Sequence, residues 1–221
     1  MNIRYLLPIL LISFWNCKQK VEKATPEPVS ETVKKQETPI PELKTIAQFM
    51  GIAPDSLDME TQLQSWTIGK NGELDSIGVQ EAALLFKKFL TSSKSDLNPI
   101  FETKEGNEAM IVMANQGYGG NIRGIFLVDK STMEIKKVAF EHVAESEGYG
   151  AAIAFSTFED QFVGSKINWD ENTFGLNQND RILIKGDKVV DGISGATITS
   201  RLTVEMVNDG LKKYKSFFMA N

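Results

Sequence analysis

Between Ile77 and Leu90, the residues Val79, Ala82, Leu85, Phe86 and Phe89 recur at the spacing of one helical face, which predicts a helix. Beyond it the pattern changes. Glu108–Asn115, Arg123–Asp129 and Ile135–Val143 are short apolar or alternating runs broken by Gly-rich or polar turns, and they read as strands. DKSTM, from Asp129, fits a hairpin turn between the last two. Ala151–Phe162 is predicted as a second helix and Arg181–Lys185 as another strand. Lys188-Val189-Val190 leads into a turn, and a last helix follows with Ile198, Leu202, Met206, Val207 and Leu211 on one face. No segment repeats. Strands and helices without regular alternation predict an α+β domain, here a single one with a small antiparallel or mixed sheet flanked by helices.

The N-terminal segments have no such periodicity. MNIRYLLPILLISFWNC sets Arg4 ahead of an apolar run from Tyr5 to Trp15, which is shorter than the roughly 20 residues a membrane-spanning helix requires. Its length and flanks suit a signal peptide, and Pro8 argues against a buried helix. Ending this segment on Cys17 resembles a bacterial lipoprotein signal over residues 1–17, with an uncleaved short anchor as the other reading. Either places the body of the protein outside the cytoplasm, in a periplasmic or other extracytoplasmic location, with Cys17 holding it to a lipid bilayer. Residues 18–45 are Pro-rich, polar and free of aromatics, so they are expected to form a disordered linker. The remaining chain divides into 46–105, the N-terminal part of the folded region, and 106–221, the domain proper.

Charge and residue inventory narrow the function classes. A formal net charge of −5 and the absence of a basic, aromatic-interleaved run exclude a general nucleic-acid binder. The single cysteine, Cys17, and single histidine, His142, exclude a disulfide framework, a Cys/His zinc site and a cysteine-ligated iron–sulfur cluster. No carboxylate spacing suggests a metal. There is no P-loop, and GYGGNIRG fails the dinucleotide fingerprint because Ile122 stands where its third glycine should be. Gly192-Ile193-Ser194-Gly195-Ala196 misses the nucleophile-elbow pattern at its last position.

The stretch DGISGATITS, from Asp191, sits at the entrance of the last helix. Helix N-termini present unpaired N–H groups and partial positive charge, so an anion is stabilised there. Gly195 and Ala196 let backbone come close, and Ser194, Thr197 and Thr199 supply hydroxyls. Two readings stay open on these residues alone. Ser194 or Thr197 caps the helix, worth about 1 kcal/mol, or the turn binds a phosphate.

DGISGAT resembles the flavinylation motif of the FMN-binding domain family, whose members include subunits of the Nqr and Rnf electron-transport complexes. The family pattern is Asp, a small residue, any residue, Ser or Thr, Gly, Ala, Thr, and Asp191 to Thr197 fit it without mismatch. GYGGNIRGIFLVD, from Gly117, resembles the family's GYGG strand segment. Glu145-Ser146-Glu147-Gly148-Tyr149-Gly150 resembles its Glu-Thr-Pro-Gly-Leu-Gly loop, departing at Ser146, Glu147 and Tyr149. Phe158, Gln161, Phe162 and Gly164 also match, so the likeness spans roughly Gly117 to Leu211.

The resemblance implies an electron carrier rather than a stand-alone catalyst, with no catalytic residue of its own. Its FMN would be joined covalently to the Thr197 hydroxyl through a phosphoester made by a separate flavin transferase, and its partners would be membrane redox proteins. It further implies that Ser194, Gly195, Ala196 and Thr199 shape the attachment turn, and that Asp191 serves the transferase. Gly119, Gly120, Gly148 and Gly150 would admit backbone to the flavin ring. Glu145 would accept a hydrogen bond or orient its loop, or be an ordinary strand-end carboxylate. Tyr118 and Tyr149 would stack on the flavin, or belong to the core. The alternative function is a non-redox lipoprotein that binds a phosphorylated ligand at the same turn.

Overall fold

The structure is a computed structural model that describes residues 40–53, 59–92 and 96–220. The expected signal segment with Cys17, and linker residues 18–39, lie outside the described residues. In chain order the elements are helix α1 (Pro41–Phe49), a single turn α2 (Met59–Gln62), strands β1 (Leu63–Ile68) and β2 (Leu74–Ile77), and helix α3 (Val79–Thr91). Strands β3 (Asn98–Thr103), β4 (Glu108–Gln116), β5 (Asn121–Asp129) and β6 (Glu134–His142) follow. A 3₁₀ turn (Gly150–Ala154), the short α4 (Ser156–Glu159), strands β7 (Phe174–Gln178), β8 (Arg181–Ile184) and β9 (Lys188–Asp191), and the long α5 (Thr197–Met219) complete the chain.

The α+β expectation holds, with more strand than the periodicity shows. Strands β2-β1-β3-β4-β5-β6 form a six-stranded antiparallel sheet, and β8-β7-β9 form a three-stranded one in which β7 and β9 run parallel. The large sheet is covered on both sides. Alternate residues of β4 and β5, Met110, Val112, Ile125 and Leu127, pack with Leu43 and Ile46 of α1 and Phe86 and Phe89 of α3. Ile111, Met113, Ile122, Phe126 and Val128 point the other way, into a core shared with α5 and the small sheet. Burial on both faces explains why β5 is apolar almost throughout, where a sheet with one wet face would alternate.

Helix α5 is the principal strut. Val204, Val207, Leu211, Tyr214, Phe217 and Phe218 bury one face, and each fully buried side chain of this size contributes about 1.5–3 kcal/mol. Tyr214 does more than fill space. The β3–β4 ladder registers only Phe101 with Met110 and Glu102 with Ala109, so Val112 has no backbone partner on β3, although Asn98 Nδ2 donates to its carbonyl at 3.1 Å. The Tyr214 hydroxyl takes that place, donating to the Val112 carbonyl and accepting from its N–H at 3.3 Å.

Three sequence expectations are corrected. α1 begins at Pro41, inside the segment that composition assigns to the linker, and it buries Leu43, Ile46 and Ala47. The Ala151–Phe162 helix is two short pieces, because Phe155 between them is extended at φ −96° and ψ 143°. Neither Ser194 nor Thr197 caps α5: Ala196 is the N-cap, and it makes no side-chain capping bond. The DKSTM hairpin turn stands as expected, with Asp129 Oδ1 accepting from the Ser131 N–H at 2.8 Å and the Thr132 N–H at 3.0 Å.

Candidate functional site

The turn from Asp191 to Ala196 joins β9 to α5, and neighbouring strands hold it on several sides. The Asp191 N–H donates to Gln161 Oε1 at 2.7 Å, Gln161 Nε2 returns a bond to the Asp191 carbonyl at 3.2 Å, and Asn177 Nδ2 donates to Asp191 Oδ1 at 2.8 Å. The Ile193 carbonyl accepts from Gln178 Nε2 at 3.1 Å and from the Ala196 N–H at 3.0 Å, while the Ile193 N–H donates to Ser200 Oγ at 2.9 Å. With every side anchored, the turn presents its next residues in one geometry.

Gly195 is required on two counts. Its φ is +77°, and a Cβ there would lie 2.6 Å from Cδ1 of the Tyr149 ring. The ring therefore lies against the turn just before Thr197. Thr197 itself is exposed and is the first residue of α5. With no side chain capping the helix, the amides of its first turn are left for another acceptor.

A cleft of about 500 Å³ opens at this point, lined by Tyr118, Glu145, Ser146, Tyr149, Gly150, Asn179 and the run Gly195 to Thr199. Four chain segments meet in it: the β4–β5 turn, the loop after β6, the β7–β8 turn and the first turn of α5. Tyr118 and Tyr149 are 70% and 56% exposed, so neither belongs to the core. Their rings are free to cover a planar ligand from the cleft walls.

Glu145 joins three of them, the β4–β5 turn, its own loop and α5. It is only 6% exposed, its Oε1 accepts from the Gly119 N–H at 2.9 Å, and its Oε2 accepts from Thr199 Oγ1 at 2.8 Å. Glu145 thus orients its loop against the β4–β5 turn and α5. The glycines around it gain a reason as well. A Cβ at Gly117 would meet Glu145 Oε1 at 2.5 Å, one at Gly150 would meet Oε2 at 2.5 Å, and one at Gly119 would strike the Ala144 carbonyl oxygen at 2.1 Å. The glycine-rich segments close upon each other and upon this carboxylate.

Of the residues singled out in the sequence, Tyr118, Glu145, Tyr149, Gly150, Gly195, Ala196, Thr197 and Thr199 line the cleft. Asp191, Gly119, Gly120, Gly148 and Ser194 do not, though Gly119 reaches it through its bond to Glu145. Ser146, Ile198 and Asn179 are additions. Asn179 sits in the β7–β8 turn at φ +51°, and the Asn-Asp pair is the signal that marks such a turn. Among the described residues, no group of His, Cys, Asp or Glu is placed to hold a metal, and no helix is long and apolar enough to cross a membrane.

Residues 117–212, which contain every residue of the cleft, match the family model described as FMN-binding domain. The chain carries an FMN-binding domain. Strands β1 to β4 and helices α1 to α3 lie ahead of the matched residues, and the likeness to solved structures covers more of the chain than that match does. The NqrC subunit of Na(+)-translocating NADH-quinone reductase from Parabacteroides distasonis aligns at a TM-score of 0.60 and 22% identity, over 81% of this chain and 94% of that one. NqrC from Shewanella oneidensis aligns at 0.59 and 16% identity, over 80% and 94%. No curated protein matches the chain.

The cleft fits FMN in its donor set. An uncapped helix N-terminus stabilises a phosphate, a hydroxyl stands at that end, and exposed aromatic rings flank a space of the size that holds small ligands and cofactors.

Proposed function

We propose that this protein is an extracytoplasmic electron carrier whose FMN is joined by a phosphoester to the Thr197 hydroxyl. The supporting observation is the position of Thr197: exposed, first in an uncapped α5, and on the wall of a cleft flanked by Tyr118 and Tyr149. The flavin, when bound, supplies the uptake and release of electrons. The protein's share is to hold it. The first turn of α5 takes the phosphate charge, the tethered position removes the need for free FMN at high concentration, and the tyrosines shield the ring. Glu145 and Gly119 keep the upper wall in register with the helix.

A flavin transferase makes the bond, and membrane redox proteins exchange the electrons. Lipidation at Cys17 would hold the carrier at the bilayer beside them, with residues 18–40 as the tether. Coexpression with an active flavin transferase tests the central claim. Intact mass should rise by one FMN less one water, and Thr197→Ala should abolish the gain. An unchanged mass in the native chain, with a control substrate modified in the same cells, refutes the covalent link. Reversible uptake of a phosphorylated ligand without redox chemistry would instead support the non-redox binding alternative.

A further inference from the structure

We infer that Glu145 places a fixed negative charge on the cleft wall and that this charge lowers the reduction potential of the flavin, an inference that rests on the FMN reading above. Among the residues lining the cleft there is no Lys or Arg, and Glu145 is the one carboxylate. Its two oxygens are met by neutral donors, the Gly119 N–H and the Thr199 hydroxyl. No described residue forms an ion pair with it.

The carboxylate also has nowhere else to go. Gly117 and Gly150 crowd it so closely that a Cβ at either position would approach an oxygen to 2.5 Å. At 6% exposure it is shielded from water, so its field is screened far less than that of a surface acid. Reduction adds negative charge to a flavin, and a nearby unscreened carboxylate disfavours that addition. The positive end of α5 lies at the phosphate attachment point. It stabilises the phosphate and leaves Glu145 as the one formal charge among the residues lining the cleft.

The test compares the native protein with Glu145→Gln, Ser146→Lys and Glu147→Gln. Each is loaded with flavin by an active transferase, checked by intact mass, and titrated reductively against a reference dye. Glu145→Gln keeps the size of the side chain and an acceptor for the Gly119 N–H while removing the charge, so the midpoint potential should rise. Ser146 is exposed and lines the same cleft, so a lysine there should raise the potential by offsetting the carboxylate. Glu147 is exposed and outside the cleft lining, and its loss should shift the potential least.

A native potential in Glu145→Gln overturns the inference. Should that variant fail to fold or load, an unchanged potential in Ser146→Lys overturns it equally. Failure of the native chain to take covalent flavin is a separate result, which refutes the Thr197 reading. The charge is then tested with free FMN, by the ratio of its affinities in the oxidised and reduced forms. That ratio should favour the reduced form more in Glu145→Gln than in the native chain, and equal ratios refute the inference.

Discussion

Replacing Gly195 by alanine tests whether the turn before α5 is as constrained as its geometry indicates. At φ +77° an alanine occupies the left-handed region at a cost of about 1–2 kcal/mol. The surrounding bonds from Gln178, Ser200 and Asn177 prevent the turn from relaxing away. A second cost arises from contact, because the new Cβ would lie 2.6 Å and 2.8 Å from Cδ1 and Cε1 of Tyr149. The ring is more than half exposed and has room to swing outward, so this part should fall near the low end of the roughly 0.5–3 kcal/mol seen for residues in contact. A double-mutant cycle separates the two. Urea unfolding of Gly195→Ala, Tyr149→Ala and the double variant should show the alanine costing more beside Tyr149 than without it. The displaced ring should also slow flavin attachment at Thr197. A total loss below about 0.5 kcal/mol, or the same loss in both backgrounds, refutes the reasoning.

Two further predictions concern the frame. Tyr214→Phe leaves the Val112 N–H without its acceptor, while Asn98 Nδ2 still donates to the carbonyl, and should cost about 1–3 kcal/mol. At about 2–4 °C per kcal/mol for a domain of this size, calorimetry resolves the change, and an unaltered Tm refutes it. Asp129, held by the Ser131 hydroxyl and by backbone N–H groups of Ser131 and Thr132, has its pKa lowered to about 2. A depressed carboxyl stabilises the fold above its unfolded value and loses that contribution as pH falls toward about 2. NMR titration of Asp129 should place its midpoint well below the usual carboxylate range, and Asp129→Ala should flatten the acid limb of stability. A midpoint in the ordinary range would show that the hairpin turn is not formed in solution.

The elements legible in the sequence are those whose burial follows a single period. α3 and α5 each bury one stripe, and β4 to β6 carry apolar or alternating runs between clear turns. β1 is hidden because it buries Ser65 and Thr67, the former satisfied by donating to the Ile77 carbonyl at 2.9 Å. Polar residues on the inner face erase the alternation that marks a strand. β3 has a proline at its second position, and β7 ends on Asn177 and a buried Gln178 whose amide secures the attachment turn. Composition also assigns Pro41 to Thr45 to the linker, although proline at the first helical position is compatible with a helix that packing then stabilises.

By itself, the sequence determined the turn before α5 and the helix behind it. Those features depend on neighbours in the chain: a glycine that can take positive φ, a threonine at the helix start, and an apolar stripe that commits the next residues to α5. The tertiary structure alone decided that a cleft stands there. Glu145 is 26 residues from Gly119 and 54 from Thr199, and no local preference reports that its carboxylate binds both. Small side chains in GYGG and in the loop after β6 signal close approach without saying to what. Folding brings those glycines onto one carboxylate, sets the exposed tyrosines on the cleft walls and turns a helix entrance into a site.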